Sequence, residues 1–246
     1  MDRLITNLDK LREPSEPLKF IDKDGQHLEE GKEIINQLND VFEKNTDVVA
    51  LSAPQIGINK RIFGIRFNDT IKYFINPIIT KKSGLVIAPE IFLNSPGKEY
   101  LIGRPKEVTV VYTNQDFVYE DNKLLDSAAR IFDQMIQVLD GVLPSDLGLE
   151  SDIELDGTLA EASEEELATY CEIWKQFITV KLGKLEEEIN SNDLAKRMYS
   201  ELKLSESIIN GRIEVYEEQH QPHLNYKQRR ALKKIGRRSK KINNEK

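Results

Sequence analysis

The feature that most constrains this chain is a succession of short apolar runs: RIFGIRF (61–67), KYFINPII (72–79), GLVIAPEIFL (84–93) and EVTVVYT (107–113). They are rich in β-branched and aromatic residues. Gly, Pro and Asn punctuate them, which predicts short antiparallel strands. A further apolar run, VVALSAPQIG (48–57), is closed by small residues and a proline. The period then changes. From near Lys123 the chain reads as a helix, with Ile131, Met135, Val138, Leu139 and Val142 recurring at steps of three or four. Ahead of the strands, residues 28–44 place Ile34, Ile35, Leu38, Val41 and Phe42 on one helical face. Short strands gathered around a central helix predict an α+β domain over residues 1–145.

Beyond residue 145 the pattern shifts to charge and helix. Residues 146–161 read as an acidic linker, and residues 162–220 as a helical hairpin or coiled-coil arm. In its first segment Leu167, Tyr170, Trp174, Ile178, Leu182, Leu185 and Ile189 recur at helical steps. In the second, Leu194, Met198, Leu202, Ile209, Ile213 and Tyr216 do so less regularly, and NSND (190–193) suits the turn and N-cap between them. Residues 221–246 form a basic tail. From His223 onward it carries ten Lys/Arg and one acid, so a chain of net charge −7 divides into a tail of +9 and a remainder of −16. Residues 144–174 hold ten acids and no Lys or Arg. Such a division lets the two regions attract each other or separate partners.

Other function classes are narrowed by what is scarce. The single cysteine, Cys171, excludes an internal disulfide framework, fits a reducing compartment, and reads as a small apolar residue on a helix face. No apolar run approaches the roughly 20 residues of a membrane span. The first residues lack the basic and apolar regions of a signal peptide, so secretion by that route and membrane partners are not expected.

Three motifs, in order, carry a resemblance. They are Val48-Val49-Ala50-Leu51-Ser52-Ala53-Pro54-Gln55-Ile56-Gly57, Glu90-Ile91-Phe92-Leu93-Asn94-Ser95-Pro96-Gly97, and Asp133-Gln134-Met135-Ile136-Gln137-Val138-Leu139-Asp140-Gly141-Val142-Leu143. Around them stand LREPSEPL, INP (75–77), Arg104 before VTVVYT, and AARIF before the third motif. Together they resemble the peptide deformylases, metalloenzymes that remove the formyl group from new polypeptides. The family patterns are G-x-G-L-A-A-P-Q-I-G, E-G-C-L-S-x-P-G and Q-H-E-x-D-H-L-D-G-V-L. The resemblance implies a deformylase-like α+β domain with a helical C-terminal extension added to it. It also implies that Gln55 and the Leu93 N–H match the groups that steady a developing oxyanion.

The departures fall on the chemistry. The family's metal-binding cysteine and two histidines, and its proton-moving glutamate, are matched by Phe92, Gln134, Val138 and Met135. Phenyl and isopropyl groups have no lone pair for a metal, and a carboxamide is a poor substitute. Without a metal, bound water is not acidified, and without the carboxylate no base takes its proton. His27, His220 and His223 are the chain's histidines, and none lies in these motifs. Val48 and Ala50 replace the glycines that open the first motif, which predicts a narrower groove. Asp133, Asp140 and Arg104 read as structural charges, Gln55 as an amide bonded to loop backbone.

These departures lead to the expectation of a catalytically inactive deformylase-like protein, with no metal and no cofactor, its former site repacked as core. The expected role is a structural or interaction subunit of a larger assembly, such as a phage virion tail or baseplate, located in a bacterial host cytoplasm or the virion. The expected partners are other protein subunits. Trp174 and Phe177 either pack within the chain or bury a partner's surface. The tail, with Arg229, Arg230, Lys233, Lys234, Arg237 and Arg238, is a solvated end, a dock for an acidic protein, or a nucleic-acid contact. A ribosome- or RNA-associated module and a residual peptide deformylase are the alternatives.

Overall fold

Strands β2 (Ile62–Phe67) and β3 (Thr70–Ser83) form the hairpin on which the fold is built, paired from Ile62↔Ile75 to Phe67↔Thr70. Asn68 turns it with φ +52. Asparagine is among the few non-glycine residues that take this left-handed region. Adding β1 (Ala50–Ser52), β6 (Glu107–Thr113) and β7 (Tyr119–Leu125) gives an antiparallel sheet in the order β1-β2-β3-β6-β7. A second antiparallel sheet contains β4 (Val86–Ile91), β5 (Glu99–Arg104) and β8 (Leu149–Ser151), in that order. This is a computed structural model, and it describes residues 4–19, 26–151, 164–209 and 215–217.

The middle of the large sheet, in β2, β3 and β6, is buried on both faces, which is why these strands read as nearly continuous apolar runs. One face carries Phe63, Ile65, Phe74, Val108, Val110 and Tyr112 against α2 (Asp126–Leu139), with Phe63, Phe74 and Phe132 stacked edge-on or tilted near 5 Å apart. The other carries Ile62, Tyr73 and Ile75 against α1 (Gln26–Lys44), whose Ile34, Ile35, Leu38, Val41 and Phe42 are buried as the helical spacing predicts. Register slips after Ile75, where Asn76 takes φ +47. Its amide clips the N-terminal segment, accepting from Leu18 N at 2.8 Å and donating to Leu18 O at 2.7 Å.

After α2 the chain passes through a short helix α3 (Pro144–Leu147) into β8, then to α4 (Glu164–Glu186) and α5 (Asp193–Ile209). These last helices pack on each other and close on the small sheet through Ile87, Ile102, Trp174, Ile178, Leu182 and Leu202. Trp174 is 1% exposed. Its ring lies where a Cβ on Gly103 would sit, so glycine is needed there.

The structure thus shows a deformylase-like α+β fold with a helical C-terminal region, and it moves several expected boundaries. The helix expected near Lys123 begins at Asp126, because Lys123–Leu125 still pair with β6. Strand β7, YEDNKLL, was not read at all: it is a mostly exposed polar strand at the sheet edge and carries no apolar alternation. The stretch read as linker opens with α3 and β8, the latter paired to β5. The last helix stops at Ile209 instead of reaching Tyr216, and Val215–Glu217 form β9 along the end of β3. Among the described residues no helix is long and apolar enough to cross a membrane. His220, His223, Tyr226 and the basic residues Arg229, Arg230, Lys233, Lys234, Arg237 and Arg238 lie outside the described residues, as does 152–163.

Candidate active site

The first-motif corner is polar and buried. Pro54–Ile56 form a 3-10 turn after β1, closed by Gly57 at φ +90. The turn folds Gln55 inward, where it is 1% exposed. Its Oε1 accepts from Ser52 N at 2.9 Å and Ser52 Oγ at 3.0 Å. The backbone N–H can only donate, so the amide orientation is fixed. Nε2 then donates to Asn94 Oδ1 at 2.7 Å, and Asn94 Nδ2 donates to Ile5 O at 2.9 Å. A carboxamide nitrogen carries two hydrogens; Asn94 takes one, which leaves Gln55 a second N–H for an acceptor. Leu93 is partly buried against the α1-side core.

The third-motif corner is hydrocarbon. Phe92 and Met135 are 2% exposed and Val138 is 0%, and all belong to the buried cluster between α2 and the large sheet. Gln134 lies half-buried, its Nε2 donating to Glu90 Oε2 at 3.3 Å. Phe92, Gln134 and Val138, which the resemblance matches to the family's metal ligands, offer two apolar side chains and an amide. Among the described residues no group of three His, Cys, Asp or Glu is placed to share an ion. These three side chains do not fit a metal.

Behind this cluster, α2 presents Asp133 and Gln137 to a buried charge network. Arg104, 0% exposed, makes a two-point contact with Glu90, Nε to Oε1 at 2.8 Å and Nη2 to Oε2 at 2.7 Å. Its Nη1 donates to Asp133 Oδ2 at 2.9 Å and also to Gln137 Oε1. Lys82 Nζ sits 2.8 Å from both Asp133 Oδ1 and Glu201 Oε2, and Gln137 Nε2 donates to Glu201 at 3.0 Å. Burial pulls the Asp133 carboxyl upward, but Lys82 and Arg104 outweigh it and hold it below the ordinary aspartate range. Burial likewise opposes the charge on Lys82, and Asp133 and Glu201 prevail, raising its ammonium above the usual lysine value.

The structural reading of Asp133, Asp140 and Arg104 therefore has its partners: Asp140 takes Arg61 Nη1 at the helix end. Next to it Gly141, at φ +74, faces the main chain of Arg12, which leaves no space for a Cβ. Lys82 and Glu201 were missed by sequence reasoning. Their positions, in a strand and in the distant α5, gave no periodic signal. His27 falls in the first turn of α1, and Phe177 lies half-buried on α4 beside Trp174.

The two antiparallel sheets packed around α2 define a deformylase-like α+β scaffold. The polypeptide deformylase family profile matches residues 4–148, and the chain belongs to that family. It is 38% identical over 116 residues to the peptide deformylase of Pseudothermotoga lettingae, covering 46% of this chain and 67% of that one. With the Dictyoglomus turgidum peptide deformylase it shares 30% over 165 residues, covering 64% and 99%. Among solved structures, a probable peptide deformylase from synechococcus phage S-SSM7 aligns with TM-score 0.51 at 31% identity, covering 56% of this chain and 93% of that one. These comparisons correct the expectation of a non-enzymatic structural subunit of a tail or baseplate. The relatives are named peptide deformylases, an enzyme, and nothing in them supports a virion structural role. The step from departed ligand types to a non-enzyme went too far, because the family match spans residues 4–148 and the relatives that share it carry the enzyme's name.

Proposed function

We propose that the chain acts on formylated peptide ends as a residual peptide deformylase with a degenerate ligand set. The family match over residues 4–148, together with relatives that bear that name, carries the reading. The site supports it at one corner: Ser52 and Asn94 hold the Gln55 amide in one fixed orientation, at the position the resemblance matches to the family's oxyanion donor. A preorganised donor of this kind stabilises charge developing on oxygen. At the other corner Phe92, Gln134 and Val138 depart from the family donors, so turnover well below that of the relatives is expected. Likeness to the phage structure supports a phage source as part of the same proposal. The test is formate release from an N-formyl-methionyl peptide by the purified full chain, with and without added Fe(II), Ni(II) or Zn(II). Slow, saturable release is expected. No release above the uncatalysed rate under any of these conditions overturns the proposal.

A further inference from the structure

Far from the motifs, α4, α5, α3 and the N-terminal 3-10 turn Leu8–Arg12 enclose an open cleft of about 450 Å³. That is within the range of about 300–1,000 Å³ typical of small-molecule sites. Its cations are Arg12, Lys181 and Lys184, and its acids are Asp146 and Glu188. Asp146 is already engaged: Oδ2 lies 2.5 Å from Arg12 Nη1 and accepts from Leu143 N at 2.8 Å. Arg12 is thereby neutralised. Lys181 and Lys184, one turn apart on α4, have no ion pair among the described residues. Lys181 is half-buried, with its Nζ 5.7 Å from the Phe177 ring centre. Burial, and the charges of Lys184 and Arg12 against the opposing Asp146, hold its ammonium below the ordinary lysine value. Glu188 stands exposed on the rim, also without an ion pair. The rest of the lining includes Leu185, Ala195 and Met198, an apolar floor.

Two unpaired lysines above an apolar floor call for a ligand with a doubly charged head and a less polar body. We propose that this cleft binds a phosphate monoester of mononucleotide size, with Lys181 and Lys184 taking the phosphoryl oxygens and Leu185, Ala195 and Met198 meeting the body. The site goes beyond the deformylase reading and does not depend on it. A free mononucleotide and the 5′-phosphate end of an oligonucleotide present the same group.

Titration calorimetry of the full chain at low salt tests this, with 5′-AMP, adenosine and inorganic phosphate as probes. Binding of AMP, absence of adenosine binding, and competition by phosphate are expected. Lys181→Ala and Lys184→Ala should each weaken AMP about tenfold or more, as loss of a charged hydrogen bond implies. Lys181→Arg and Lys184→Arg should retain binding, which separates charge from misfolding. Lys98→Ala, on the small-sheet side, should leave it unchanged. Competition by a 5′-phosphorylated trinucleotide would point to a nucleic-acid end as the source, and its failure to compete to a free ester. Equal binding of AMP and adenosine, no AMP binding, or AMP affinity unchanged in the two alanine variants would overturn the site.

Discussion

Phe92 and Asn94 stand two residues apart in one short segment, yet they enter opposite chemistry. Phe92 joins Met135 and Val138 in buried hydrocarbon, whereas Asn94 closes a chain of amide hydrogen bonds through Gln55 to Ser52. Both corners are equally dry. The apolar one is held by area and packing, which tolerate any side chain of suitable shape. The polar one is held by direction, since each buried donor must find its acceptor. A packed apolar corner tolerates substitution by side chains of similar shape, while a hydrogen-bonded amide chain changes only as a unit.

The largest effect separating the two modes should come from the charged back of α2. Asp133→Ala leaves Lys82 and Arg104 buried without a shared carboxylate, and a loss of about 3–5 kcal/mol in denaturant unfolding is expected. A loss under about 1 kcal/mol would show that the network relaxes or is wet. The same residue sets an acid limit. Its folded pKa lies below the unfolded value near 3.8, so its stabilisation is present above that value and is lost as pH falls through the folded pKa. Lys82 shifts the other way, from 10.5 upward, so its stabilisation is present below pH 10.5 and is lost as pH rises through the folded pKa. Unfolding scans of wild type and Asp133→Asn from pH 7 downward should converge in acid.

Phe92→Ala comes next, at about 3–4 kcal/mol for a large cavity in packed hydrocarbon. Asn94→Ala should cost about 1–3 kcal/mol, because the Gln55 amide hydrogen facing it loses its acceptor. Ser52→Ala should cost less, about 1 kcal/mol, since the Ser52 backbone N–H still holds Gln55 Oε1. If Asn94→Ala proved as mild as Ser52→Ala, directional bonding would not distinguish the corners. Glu201→Gln is the smallest, about 1 kcal/mol or less, because Glu201 is partly exposed and its charge is screened.

The apolar half of this architecture was legible in the sequence. The helical faces of α1 and α2, and the strands β2, β3 and β6, follow from side-chain period and β-branching, and three motifs in order pointed to the family. Met135 and Val138 could be placed in the core because they are apolar residues on the helical stripe, and Phe92 because it is a large apolar residue in the second motif. The charged half was not legible. Lys82 reads as an ordinary strand lysine in TKKS, and Glu201 as one more helix-surface acid. Only the packing of α5 over the end of β3 brings them within 2.8 Å. Strand β7 escaped for a related reason. Its pairing is made by the backbone with β6, and its mostly exposed, polar side chains leave no pattern.

The deformylase reading stands most directly on one measurement: formate release by the full chain compared with its Gln55→Ala variant. If the retained amide corner supports chemistry, the wild type releases formate and the variant does so about a hundredfold more slowly, as removal of an oxyanion donor implies. Equal rates in the two proteins, or none in either, would contradict it.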